Sequence, residues 1–452
     1  MRSHCLSRRE FLQTAGAGLA VSGFAGLLGC STQVDSPPAL AELDKASAAE
    51  TRPVFLLAPE ERFTGRCLEV AKPEFALPGR WPGRVVEVHH PASVQNGRAQ
   101  LEPVRQMVAR GLQTLTGADD PVAAWKTLFQ KGDRVAIKVN PVGLTDGKKR
   151  SAITHLELVA ALIDGLKSAG LSEKDIVLYE RYADQFRQAG YEKFLQSQYP
   201  GVGWYASHAR YHNQQTDLEG RDPDSQTGQR PDPDPHVVGY DAEVFRRLPY
   251  AMPKRGPHDR PGENSHLSRL VTTDLVNKII VATVLKDHRS GGITMSLKDL
   301  SHGFVNNVSR SHMGKDAPSP ELDNTCGTFI PEMVSLEPLR RKVVLLVMDG
   351  LVGCYEGGPG TWNATWDVWE RKSLFFATDP VALDHVGWHI LDQYRVSRGW
   401  PPVAEMGTNQ RDPQKAEQFR RRQPEHVQLA GEKGLGIFAP QRIEYRRVNL
   451  SG

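Results

Sequence analysis

Cysteine is scarce in this chain, with five in 452 residues and none spaced as CxxC. Beyond Cys5 and Cys30 near the N-terminus only Cys67, Cys326 and Cys354 remain, so neither a zinc ribbon nor a ferredoxin-type cluster can be built from this chain alone. Cys326 and Cys354 could still pair as a disulfide in an oxidising compartment. An excess of one charge is also missing: 56 basic against 53 acidic residues leave +3, which argues against nucleic acid as the main partner. No membrane span is expected of the Gly/Ala-rich apolar stretch from Ala15 to Gly29, which falls short of the roughly 20 residues that cross a bilayer.

That stretch has a different character. Ser7-Arg8-Arg9-Glu10-Phe11-Leu12 precedes it, the pattern of a twin-arginine export signal, with Arg8 and Arg9 as its pair. It closes on Leu27-Leu28-Gly29-Cys30, which resembles a bacterial lipobox, in which the cysteine is lipidated and begins the mature protein. Residues 1–29 are thus expected to be a signal and 30–52 a small, polar tether. The expected location is the bacterial periplasm or cell surface, on a lipid anchor at Cys30. The implied partners are the twin-arginine machinery and the lipoprotein-processing enzymes. Because that export route carries folded proteins, often cofactor-loaded ones, the signal also leans toward a cofactor.

The body reads as α/β. Arg84–His89 and Arg134–Asn140 alternate as strands, and Leu101–Leu115 and Leu156–Leu171 repeat apolar residues at helical spacing before Ile176–Tyr179. Lys278–Leu285, Val343–Met348 and a helix over Pro380–Leu391 repeat the pattern. Strand, helix, strand predicts βαβ units in parallel or mixed sheets, here in two lobes, 53–204 and 267–452. Residues 205–266, rich in Asp, Pro and Gly, interrupt them as a polar insertion. Within it His208 and His212, with carboxylates near Asp222 and Asp232, offer donors for a divalent cation and so for metal-dependent hydrolysis.

Chemistry concentrates in "VLKDHRSGGITMSLKDLSHGFVNNVSRSHMGKD", Val284 to Asp316, with three histidines and three lysines after an apolar strand. Lys286, Asp287 and His288 fall at that strand's C-terminal end, where parallel sheets bind ligands. Gly291 and Gly292 permit close backbone approach. Lys298 sits in a following helix, and a lysine in a cleft there becomes a nucleophile as desolvation depresses its pKa. Lys286, Arg289 and Lys298 could instead receive a small anionic substrate. Asp349 precedes "GCYEGGPG", a glycine-rich turn at another strand end, and Asp379 before Pro380 reads as a helix cap. His89 and His90 close the first strand on opposite faces.

"VAIKVNP" (Val135 to Pro141), "LKDHRSGGITMSLKDLSHGF" (Leu285 to Phe304), "MDG" with "EGGPG", and "ATDPVALD" (Ala377 to Asp384) resemble in order the motifs of the DUF362 family, over roughly Val85 to Leu391. More distantly, the spacing from His288 through Gly292 to Lys298, followed by His312, is similar to the nickel-pincer lactate racemase family. That resemblance implies a nickel-containing nicotinate-derived cofactor joined to Lys298, an acid/base role for His288 and nickel ligation by His312. Asn140 matches the position of its phosphate-contacting turn, while Glu180 and Tyr182 stand where its second acid/base histidine would be and are the candidates to replace it. The resulting expectation is a tethered enzyme acting on a hydroxy acid or sugar-like substrate by hydride and proton transfer. The alternatives are a non-catalytic anion-binding or cofactor-assembly lipoprotein, and the metal-dependent hydrolase.

Overall fold

The computed structural model describes residues 76–451 except 148, 211–233, 251–262, 313–321, 323, 364 and 406–423. The chain forms β1 (Arg84–His89), the small ribbon β2 (Val94–Gln95) and β3 (Arg98–Ala99), then α1 (Leu101–Thr116) and α2 (Pro121–Leu128). Next come β4 (Val135–Val139), α3 (Leu156–Ser168), β5 (Ile176–Tyr182), α4 (Ala183–Gln188), α5 (Tyr191–Gln198) and β6 (Gly203–His208). A ribbon of β7 (Tyr240–Arg247) and β8 (Asn264–Ser268) leads through α6 (Arg269–Thr272) to β9 (Lys278–His288), which turns back as β10 (Gly292–Ile293) into α7 (Ser296–His302). The remainder is α8 (Cys326–Val334), α9 (Glu337–Lys342), β11 (Val343–Glu356), β12 (Asp367–Trp369), β13 (Ser373–Ala377), α10 (Pro380–Ser397), α11 (Glu425–Glu432) and β14 (Glu444–Asn449).

Ten strands make one sheet, ordered β14-β1-β13-β11-β9-β4-β5-β6, with β10 beside β9 and β12 beside β11. Every neighbouring pair from β11 to β6 is parallel, as is β14 with β1, and β13 runs against both its neighbours. The α/β architecture is therefore as expected, and both halves of the chain are wings of one continuous sheet. Residues 203–208, where the polar insertion was expected to begin, form its far edge strand, and 240–268 supply the β7–β8 ribbon. His212, Asp222 and Asp232 lie outside the described residues, as do Arg8, Arg9 and Cys30.

Local chemistry explains the elements. In α1 the buried set Val104, Met107, Val108, Gly111, Leu112 and Leu115 follows helical spacing, and the helix ends at Gly117 with φ 77°, a left-handed conformation suited to glycine. Together with α2 to α5 it covers one sheet face, where Leu158, Leu162 and Phe186 meet Val135, Ile137 and Val139. Leu297, Phe329, Leu383 and Val427, from α7, α8, α10 and α11, close the other face. Each such side chain stabilises by about 1.5–3 kcal/mol when fully buried.

One boundary differs from the sequence reading. β11 does not stop at Met348 but continues to Glu356, so Asp349 lies inside a strand and the turn begins at Gly357. Gly350 and Gly353 remain in the strand because the Phe375 and Trp369 rings press on them, leaving a Cβ only 3.0 and 2.6 Å of room.

Candidate functional site: a buried lysine ringed by histidines

The chain leaves β4 through α3 on one face of the sheet and leaves β9 through α7 and α8 on the other. The strand order reverses between these two neighbours, so their C-terminal ends border a crevice of the kind in which α/β sheets bind ligands. Asn140, just after β4, spans it: Nδ2 donates to Asp299 Oδ1 at 2.7 Å, and Oδ1 accepts from Lys286 Nζ at 3.2 Å and from the Val142 amide at 3.0 Å.

Most charges around the crevice are committed to the protein. Lys286 also donates to the carbonyls of Val142 and Ala152, and burial pushes its pKa down to about 8 against the pull of Asp299. Arg289 Nη2 donates to Glu356 Oε1 at 3.0 Å, and the buried Arg395 reaches Glu356 Oε2 at 2.8 Å. Asp287 accepts the amides of Gly357 at 3.1 Å and Gly358 at 2.7 Å, so it pins the "EGGPG" turn. A Cβ on Gly358 would lie 2.2 Å from the Asp287 carbonyl oxygen. Burial, reinforced by Glu356, pushes the Asp287 carboxyl up to about 7.

Lys298 is different. It is 5% exposed, and among the described residues its amine makes no hydrogen bond and no ion pair. Burial drives its pKa down to about 8, with Cys326 and Asp299 acting the other way. A protonated amine left so costs several kcal/mol, which favours the neutral, nucleophilic form. Its helix is held from outside: Asp384 of α10 accepts the amides of Ser296 at 2.8 Å and Leu297 at 2.9 Å and the Ser296 hydroxyl.

Three histidines cluster beside this helix. His288 accepts at Nδ1 from the amides of Ser290 at 3.1 Å and Gly291 at 3.0 Å, which leaves its proton on Nε2. Gly292, at φ 77°, makes this β9–β10 reversal possible. His312 sets Nδ1 beside both the Ser311 hydroxyl at 3.2 Å and the Ser309 carbonyl at 3.3 Å. The His288 and His312 rings are 6.1 Å apart, and His302, held between the hydroxyls of Ser301 and Ser311, is 5.5 Å from His312. Burial and then the Lys298 charge hold His288 and His302 well below their usual pKa. Among the described residues no three His, Cys, Asp or Glu side chains are grouped to hold a metal ion by themselves.

The other sequence candidates fall into place around this centre. Glu180 is paired with Lys138 at 2.7 Å, and burial raises its pKa despite that partner. Tyr182 lies under the Arg181 guanidinium, 4.7 Å away, and beside His208 at 5.8 Å. Asp349 accepts the His155 amide at 2.9 Å and Nδ1 at 3.0 Å and so orients the start of α3. Asp379 is the helix cap it was read as, accepting from Val381 at 2.9 Å and Ala382 at 3.0 Å, and from Gly83 and Ile437 besides. His90 Nδ1 accepts from the Ala92 amide at 3.1 Å, and His89 lies 3.4 Å from the Ser373 hydroxyl. Cys326 and Cys354 are free thiols, not a disulfide: Cys326 faces Ser311 at 3.8 Å and Cys354 faces Asp287 at 3.5 Å.

Three contributors had escaped the sequence reading. Asp384 carried a signal, an acid on the apolar side of its helix between Leu383 and Val386. His302 lay within the quoted stretch but outside any spacing. His426, on α11, had no signal at all; it is fully buried, among the described residues neither ring nitrogen has a hydrogen-bond partner, and the Lys298 charge bears on it.

Fold and site together define an α/β protein with a buried lysine of lowered pKa near the switch point of a mainly parallel sheet. Residues 258–389 match the family described as "Domain of unknown function (DUF362)". That stretch holds β9, α7 and Asp384 and is narrower than the resemblance read from the motifs, leaving Asn140, Glu180 and His426 outside it. No curated protein matches the chain.

Proposed function

We propose that this protein is an exported, membrane-tethered enzyme whose reacting centre is built on Lys298, acting on a small hydroxy acid or sugar-like substrate by hydride and proton transfer. The observation that carries this reading is the Lys298 amine: buried, without a partner, and pushed down to about 8. Such an amine joins readily to an acyl or carbonyl carbon, and the bond removes the charge that burial opposes. His288, with its proton on Nε2 and its ring fixed by two amides, is the group that moves a proton to or from a substrate hydroxyl.

The donor set fits a nickel-bearing nicotinate-derived group. Lys298 would hold it covalently, and His312 would supply an imidazole to the metal. When bound, that group would supply the hydride acceptor. Glu180, paired with Lys138, and Tyr182 are the candidates for a second acid/base group. Export and anchoring follow from Arg8, Arg9 and Cys30.

Intact mass and metal analysis of protein from the membrane of its native host, with peptide mapping over residues 279–315, tests the reading. The expected result is added mass on Lys298 with stoichiometric nickel. An unmodified Lys298 without metal would sink it and leave an anion-binding lipoprotein. Cys30→Ala should release the protein from the membrane, and Arg8→Lys with Arg9→Lys should hold it in the cytoplasm.

A further inference from the structure

The helix that carries Asp384 also carries a pair of imidazoles that the chemistry at Lys298 does not use. On α10, His385 follows Asp384 directly and His389 stands one turn further on. Their Nε2 atoms are 2.7 Å apart and their ring centroids 4.7 Å. We propose that His385 and His389 form a binding site for one divalent ion of the zinc and copper class, distinct from the histidines beside Lys298.

Side chains four apart on a helix lie on one face, and two histidines so placed are a recurring metal clip. Zinc–nitrogen bonds of about 2.0–2.1 Å put two neighbouring imidazole donors about 3.0–3.3 Å apart. A small rotation of either ring opens the observed pair to that span. In the closed pair one Nε2 donates to the other. When an ion enters, that proton moves to Nδ1 of the same ring, so two neutral imidazoles offer lone pairs and no net proton is lost.

The surroundings hold both rings in place. Phe438 packs on His385 at 4.8 Å, and Trp388 lies nearly parallel to His389 at 5.9 Å. Trp388 is braced in turn by Asp392, whose Oδ2 accepts from its Nε1 at 2.7 Å and whose Oδ1 accepts the Val403 amide at 2.8 Å. The carboxylate of the following turn thus supports the clip rather than joining it. His385 is 2% exposed and His389 half-buried, so an ion reaches the pair from the His389 side. Burial and then His389 drive the His385 pKa down to about 3, which keeps that ring in the neutral form a metal requires.

Among the described residues no third His, Cys, Asp or Glu completes a group with them, which leaves the remaining positions to water. Imidazole nitrogen suits copper, nickel and zinc, whereas calcium and magnesium take oxygen. An ion held here ties two turns of α10 together beside Asp384.

The test uses the full-length chain, stripped with chelator and titrated with zinc sulfate by calorimetry, with thermal unfolding read alongside. Wild type is compared with His389→Gln, His389→Cys and His385→Gln. The expected result is one more zinc per chain in wild type than in either glutamine variant, with His389→Cys restoring it. Zinc should also raise the unfolding midpoint of wild type and His389→Cys by more than that of the glutamine variants. Because each readout is a difference from wild type, zinc bound elsewhere drops out. Equal zinc counts in wild type and His389→Gln would overturn the proposal and leave the pair as a hydrogen bond. A loss in His389→Gln that His389→Cys does not recover would make the effect structural and overturn it too. Should His385→Gln not fold, the two variants at the half-buried His389 decide alone.

Discussion

Asp384 on α10 accepts the amides of Ser296 at 2.8 Å and Leu297 at 2.9 Å, so one helix's buried carboxylate holds the first turn of the helix that presents Lys298. Met295, at the N-cap position, makes no side-chain cap of its own. Asp384 therefore does at a distance what a local Ser or Asp does in most helices.

Asp384→Ala should cost about 2 kcal/mol of stability by leaving those amides bare. It should also slow labelling of Lys298, since the helix is no longer fixed. Denaturant unfolding and reagent labelling on one preparation check both. Burial pushes the Asp384 carboxyl up to about 7, so the folded state binds the extra proton above the unfolded value near 4. Its share of stability is present below about pH 4 and declines as pH rises toward 7, and Asp384→Asn should abolish that slope.

Lys298→Met should make the protein more stable at pH 7, by roughly 3 kcal/mol at most, while ending labelling at that position. The lowered pKa means the unfolded chain binds more protons between about 8 and 10.5. Wild-type stability should therefore rise across that window, and the variant should not follow it. Labelling of wild type should show a midpoint near pH 8.

Glu180→Gln should destabilise by about 3–5 kcal/mol, because Lys138 stays buried without its partner. Replacing both, as Lys138→Met with Glu180→Leu, should recover most of that loss and preserve labelling of Lys298. A double variant that is stable yet unreactive would instead put Glu180 in the chemistry.

His288, His302, His385 and His426 all have pKa values driven down, chiefly by burial. Below about pH 6.5 the unfolded chain takes up protons that the folded one refuses. These four groups should therefore weaken the fold on acidification, while the raised carboxyls of Asp287, Asp379 and Asp384 act the other way between about pH 4 and 7. Equilibrium unfolding from pH 8 to 5 measures it, and Lys298→Met should soften the fall by removing the charge beside three of these rings.

How much of this was legible depended on whether a residue's partner was local. The apolar run to Leu285 announced a buried strand, and the polar residues after it placed His288 and Lys298 at a strand end. Asp379 could be read as a cap because its acceptors are its neighbours Val381 and Ala382. Glu180 had the right residue type for a base, but its partner Lys138 comes from another strand, and only the assembled sheet brings them to 2.7 Å. Asp349 looked like a strand-end residue because Gly350 and Gly353 imitate a turn, and the rings that let those glycines stay extended come from β12 and β13. His426 is buried by the docking of α11 on α8, which no spacing encodes.

The place of β1 in the sheet has a consequence for how the molecule is made. Its two neighbours are β13 and β14, which lie about 280 and 360 residues further along the chain. Translation thus delivers an apolar edge long before anything exists to pair with it, and that wing of the sheet closes only after residue 449 has been synthesised. His426 arrives almost as late. The core under Lys298 is therefore closed only once α11 has been made, and whatever loads that lysine must meet a chain that already extends past residue 432.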